Sequence, residues 1–145
     1  MGDLSTNFDR EEFECTCGCH KVAIKLRLIA ALQSLRDRVG VPITITSGYR
    51  CMEHNRKVGG VKNSRHVSGE AADIHIHGMT AKEMYGHALA IYEFRNGGIG
   101  IYPQRKFIHV DVRDKAARWA EIDGRKVSYF DYAKWEDKDG KVPKP

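Results

Sequence analysis

The chain lacks any apolar run approaching the roughly 20 residues that span a bilayer, so no transmembrane segment is expected. Its opening stretch, MGDLSTNFDREEF, lacks the basic-then-apolar pattern of a secretory signal, and synthesis in the cytoplasm without a signal peptide is expected. No linker rich in proline, glycine or serine, no internal repeat and no low-complexity segment divides it. With 145 residues, close to the usual domain size, one domain over 1–145 is expected. Lysine and arginine outnumber the acidic residues by 24 to 19, which favours an anionic partner. They never gather on one element with interleaved aromatics, so no specific nucleic acid is implied.

What is present reads as a globular α+β chain, 41% hydrophobic and 30% charged. KVAIKLRLIAALQSLRDRVG carries helical spacing through Val22, Leu26, Ile29, Leu32 or Gln33, Leu35 and Val39 and stops at Gly40. PITIT predicts a strand, SGYR a turn, and EHNRKVGG one short helical turn. Thr80, three residues before Glu83, predicts a capped helix running to about Phe94. GGIGIYP and KFIHVDVR predict two strands joined at PQRK, and WAEIDGRKVSYF a hairpin around Asp123 and Gly124. The lysine- and proline-containing end, about 136–145, is expected to fray.

Two strands carry the chemistry. Alternation in AADIHIH puts Ala72, Ile74 and Ile76 on one face and Asp73, His75 and His77 on the other. In FIHVDVR it opposes Ile108, Val110 and Val112 to His109, Asp111 and Arg113. Paired antiparallel, the strands would bring imidazoles and carboxylates together. A single histidine on a wet strand needs no ligand; a face made only of metal-ligand residue types is less ordinary. His66, in a loop between Ser64 and Gly69, could fold over the same face. His66, Asp73 and His109 would then offer two nitrogens and one oxygen, a set that suits one zinc ion with a fourth position open. His75 and His77 stay closer to solvated strand residues. Ser64 is expected to hold the loop rather than act as nucleophile, since no histidine is paired with it by sequence.

Three of the four cysteines fall in ECTCGCH (Cys15, Cys17, Cys19), and Cys51 follows SGYR. Spacings of one residue are cramped for a complete zinc site and strained for a neighbour bridge. A second site or bridge reaching to Cys51, with His54 nearby, is the open alternative.

SRHVSGEAAD resembles the Ser-x-His-x-x-Gly-x-Ala-x-Asp pattern of the zinc D-Ala-D-Ala carboxypeptidase family of peptidases, and FIHVDVR resembles its second, histidine-bearing strand. LSTNFDREEFECTCGCH, TITSGYRCMEHNRKVGG and GGIGIYP are similar to its phage and prophage endolysin branch. The resemblance implies the fold shared with hedgehog N-domains: a small antiparallel sheet, helices on one face, zinc on the other. It implies His66, Asp73 and His109 as metal ligands and Arg50 as the residue holding the substrate carboxylate or carbonyl, with Ser64 beside it. It implies hydrolysis of an amide in the peptidoglycan stem peptide by a monomer that reaches the wall after phage-type release. Several branches place a carboxylate three residues before the last ligand histidine, where this chain has Lys106. The chain resembles instead the branch with His-x-Asp, which implies Asp111, on the same strand face as His109, as the candidate general base, with orientation of His109 as its other possible role. The alternative is an inactive zinc-containing wall-binding or phage structural module of the same fold.

Overall fold

The computed structural model describes residues 2–138; the tail expected to fray lies outside them from residue 139 onward. The architecture is α+β. The helices are α1 (Leu26–Val39), α2 (Met52–Lys57), α3 (Ala81–Leu89), α4 (Tyr92–Arg95) and α5 (Tyr129–Lys138). The strands β1 (Ile43–Ser47), β2 (Ala71–Ile76), β3 (Gly98–Tyr102), β4 (Phe107–Asp111), β5 (Ala117–Ile122) and β6 (Arg125–Ser128) form one sheet in the order β1-β2-β4-β3-β5-β6. All neighbours are antiparallel except β3 and β5, which run parallel. The sheet is antiparallel as expected apart from that one pairing, which arises because the short loop 112–116 steps across the end of β3.

The helices depart from the periodic pattern where tertiary contacts compete with it. The first begins only at Leu26, because the preceding backbone is pulled out straight: Lys25 N–H donates to Gly69 O at 2.9 Å. Leu26 consequently stands 77% exposed and is no part of the core. Gly40 ends α1 in the left-handed region, its N–H bonded to Arg36 O. Thr80 and Glu83 form the expected capping box, but the helix breaks at Ile91 so that both Ile91 and Phe94 turn inward. The hairpin at Asp123 and Gly124 has positive φ at both residues, as its turn type requires.

One face of the sheet is the core. Ile74, Ile76, Ile99, Ile101, Ile108 and Val110 meet Leu28, Leu32, Leu35, Met84, Ala88 and Phe94 in a single buried cluster. The opposite face is read best in rows. Strand pairing sets Ser47 across from Asp73, Asp73 across from His109, His109 across from Gly100, and Gly100 across from Trp119. A second row on the same face runs Ala71, Asp111, Gly98 and Ala117. The two glycines keep these rows open, since a Cβ on Gly100 would enter the Trp119 indole and one on Gly98 the Asp111 carboxylate.

Leu32 is fully buried in the cluster and Leu26 is not. Leu32→Ala is expected to cost about 2–5 kcal/mol and Leu26→Ala no more than about 0.5 kcal/mol, read as shifts in the urea unfolding midpoint at constant m-value.

Candidate metal centre

The loop carrying His66 is ordered by its own short-range bonds. Ser64 Oγ accepts from the His66 N–H at 3.2 Å, and Glu70 N–H closes onto Arg65 O at 2.9 Å. Gly69 takes φ +76°, and any side chain there would strike the Ala23 carbonyl, so the glycine of the motif answers to both conformation and space. The turn after β1 then grips the loop twice: Arg50 N–H donates to His66 O at 3.2 Å, and the His66 Nδ1–H donates to Gly48 O at 2.8 Å.

That second bond decides which nitrogen of His66 faces the site. Its Nε2 lies 3.3 Å from Asp73 Oδ1, and His109 Nδ1 lies 3.2 Å from the same oxygen. On the far side of its ring, His109 Nε2–H donates to Asp111 Oδ2 at 2.7 Å. Each neutral ring thus spends its one proton away from Asp73, on a carbonyl or a carboxylate that can only accept. Two lone pairs and a carboxylate converge, and the three donor atoms lie within 4.8 Å of one another. Both histidines are nearly inaccessible, 4% and 7% exposed. Acceptors packed this way repel unless a cation sits among them, and a borderline divalent metal with N/O preference suits the set. His66, Asp73 and His109 therefore come together as the sequence suggests.

With no cation present, burial would raise the Asp73 pKa, but protonation of the His109 and His66 rings turns both contacts into hydrogen bonds that hold it well below the usual carboxylate range. For His109 burial alone would lower the pKa, yet the Asp111 and Asp73 carboxylates raise it.

Asp111 lies behind the His109 ring among many donors. It is fully buried, and its oxygens accept from His109, from Gly98 N–H at 2.8 Å, from Arg113 N–H at 3.1 Å, and from the Arg113 guanidinium at 2.7–3.1 Å. Against burial, which raises it, the bonds from His109 and Arg113 keep its pKa far below the ordinary range. A carboxylate so saturated with donors is a poor proton acceptor, and it faces the His109 Nε2–H.

The other named residues divide. Arg50 lines the cleft beside the three and is braced through Nη1 by Asn55 Oδ1 at 2.8 Å. Ser64 also lines it, with its hydroxyl committed to the His66 N–H. His75 shares the face of Asp73 but bonds Lys106 O through Nδ1 at 2.7 Å, and His77 is exposed, so neither joins the group. Lys106 sits at the left-handed turn before β4. Trp119, its ring 5.0 Å from that of His109, and Tyr102, which accepts a bond from the Trp119 indole at 3.1 Å, form a wall no motif announced. The parallel β3 and β5 pairing is what puts them there. The Gly-Ile-Gly-Ile alternation of β3 was the one available signal that something bulky crosses that strand.

A model of the family described as Peptidase M15 matches residues 6–111. Over 76 residues the chain is 36% identical to the peptidoglycan L,D-endopeptidase MepK of Escherichia coli, a match covering 49% of this chain and 40% of that protein. Over 75 residues it is 38% identical to the probable peptidoglycan L,D-endopeptidase MepK of Haemophilus influenzae, covering 48% and 39%. Over 44 residues it is 48% identical to the zinc D-Ala-D-Ala carboxypeptidase of Streptomyces albus G, covering 30% and 17%. The matches thus span two fifths or less of those relatives' lengths. The family match takes in the His66 loop, both site strands and Asp111, and with it the chain belongs to the Peptidase M15 family.

Proposed function

We propose that this chain is a zinc-dependent peptidase that hydrolyses an amide bond in the peptidoglycan stem peptide, with His66, Asp73 and His109 as the ligands of one zinc ion. The observation that carries this reading is the convergence of His66 Nε2, His109 Nδ1 and Asp73 Oδ1, with the far nitrogen of each ring already bonded. Zinc bound there would supply Lewis-acid polarisation of the scissile carbonyl and of the attacking water. Arg50 anchors the carbonyl or a terminal carboxylate of the substrate, and Trp119 and Tyr102 wall the cleft and limit access of bulk water. Asp111 keeps a proton on His109 Nε2 rather than taking one from water.

The cleft, about 560 Å³, runs from Arg50 and Asn63 past the three donors to Trp119 and Lys126. Endopeptidase action inside the stem is favoured over removal of a terminal residue alone. The relatives named L,D-endopeptidases share the longer matched stretches. An endolysin-like setting rests on the resemblance of the N-terminal and turn segments to that branch. One observation favours the second reading, a zinc-containing wall-binding module without turnover: among the described residues Asp73 is the only carboxylate lining the cleft, so no separate base is in place.

Muropeptide analysis separates the two. Purified protein with stoichiometric zinc is expected to release fragments bearing new amine and carboxyl termini, and chelator or His66→Ala to abolish them. Sedimentation with intact wall but no new termini would overturn hydrolysis in favour of binding.

Asp111→Asn would set an amide N–H against Gly98 N–H or Arg113 and loosen the His109 ring. Zinc affinity is expected to fall about 10- to 100-fold, and excess zinc to restore much of the turnover. A fully loaded variant without turnover would return Asp111 to the role of base.

In chelated protein the depressed pKa values of Asp73 and Asp111 contribute stability that is complete above about pH 4 and lost as pH falls through their folded values. The raised pKa of His109 contributes fully below about pH 6.5 and is lost as pH rises through its folded value. The thermal midpoint without metal is therefore expected to peak between about pH 4 and 6.5. Because zinc requires neutral rings, loading it should move the peak to higher pH.

A further inference from the structure

The segment between the 3-10 turn at Arg10–Phe13 and α1 contains no helix or strand, and every residue from 16 to 21 is exposed. Apolar burial cannot order such a loop, which also holds positive φ at Gly18 and His20. It nonetheless closes on itself, Cys15 N–H donating to Lys21 O at 2.9 Å. At its centre are sulfurs. Cys15, Cys17 and Cys51 lie at mutual Sγ separations of 3.5, 3.7 and 3.7 Å, and the Sγ of Cys19 falls within 4.8 Å of all three. A tetrahedron with metal–sulfur bonds of about 2.3 Å has sulfur–sulfur edges of about 3.8 Å. Three near-equal separations of that size match such a tetrahedron and single out no pair for a disulfide, whose sulfurs would stand about 2.05 Å apart.

Backbone donors point at the sulfurs. Backbone N–H groups donate to three of the four: Cys51 N–H to Cys15 at 3.5 Å, His54 N–H to Cys51 at 3.4 Å, and Lys21 N–H to Cys19 at 3.5 Å. Lys21, Arg56 and Lys57 line the depression over them. His54 is a brace and no ligand, its Nε2 lying 3.2 Å from Thr16 Oγ1. Four soft ligands in tetrahedral array select zinc over hard cations.

We propose that Cys15, Cys17, Cys19 and Cys51 form a second, structural metal site that takes one zinc ion and pins the segment before α1 to the turn carrying Gly48 and Arg50. Cys51 follows Arg50 directly, and Tyr49 N–H donates to Phe13 O at 2.8 Å, so the ion would close a ring around the residues that hold His66 and the substrate.

The test is metal analysis of the full chain purified under reducing conditions. Wild type is expected to hold two zinc ions per chain and His66→Ala one. His66→Ala loaded with cobalt(II) isolates the sulfur site and should show thiolate-to-cobalt charge-transfer absorption in the near ultraviolet, saturating at one equivalent; adding Cys19→Ser, an exposed position, should weaken or abolish it. One zinc in wild type that is lost in His66→Ala, with no charge-transfer band, would overturn the sulfur site and leave the peptidase reading standing. A mass lighter by the hydrogens of a disulfide in the reduced preparation would overturn it as well. A single zinc retained by His66→Ala together with the band would support the sulfur site and remove the other.

Discussion

The antiparallel register of β2 and β4 is the constraint on which the site depends. Setting Asp73 opposite His109 places a carboxylate and an imidazole about 3.2 Å apart on the face away from the core. A slip of one residue in β2 would turn Asp73 into the aliphatic layer and bring Ile74 out. The core side enforces the register, because Ile74, Ile76, Ile108 and Val110 are buried in the same cluster as the helices. Hydrophobic burial on one face therefore positions polar chemistry on the other.

The second row of the sheet supports the first. Asp111 is a buried charge, and a buried charge is tolerated only when its hydrogen-bonding capacity is met. Arg113, Gly98 N–H and His109 meet it, and the same Arg113 guanidinium lies 5.3 Å from the centre of the Trp119 ring. Carboxylate, arginine, indole and imidazole form one packed unit around the His109 ring. Glycines at 98 and 100 supply the room for it.

The remaining side of the site is built from loops rather than strands. His66 is held by a turn carbonyl and by Ser64, and the turn is held in its place by Phe13 and by the sulfur cluster around Cys51. Segments so poor in apolar contacts are the ones most able to open locally, and the proposed metal site would pin them.

Much of this was legible in the chain. Period-two alternation sorted Asp73, His109 and Asp111 onto one face, and the spacing in SRHVSGEAAD marked His66 and Asp73, because these follow from local geometry. The helix of Thr80, the stop at Gly40 and the Asp123 hairpin were legible for the same reason. Non-local competition was not. The late start of α1 answers to Gly69, the break at Ile91 to the core beneath it, and Trp119 reached His109 only through a parallel pairing made by a loop crossing β3. The surroundings of Asp111 belong here too: sequence supplied a carboxylate two residues from a histidine, and only folding packed Arg113 and Gly98 against it. The sequence by itself determined which residue types share a face, since that depends on backbone periodicity; tertiary structure decided which nitrogens point inward, since that depends on partners far away along the chain.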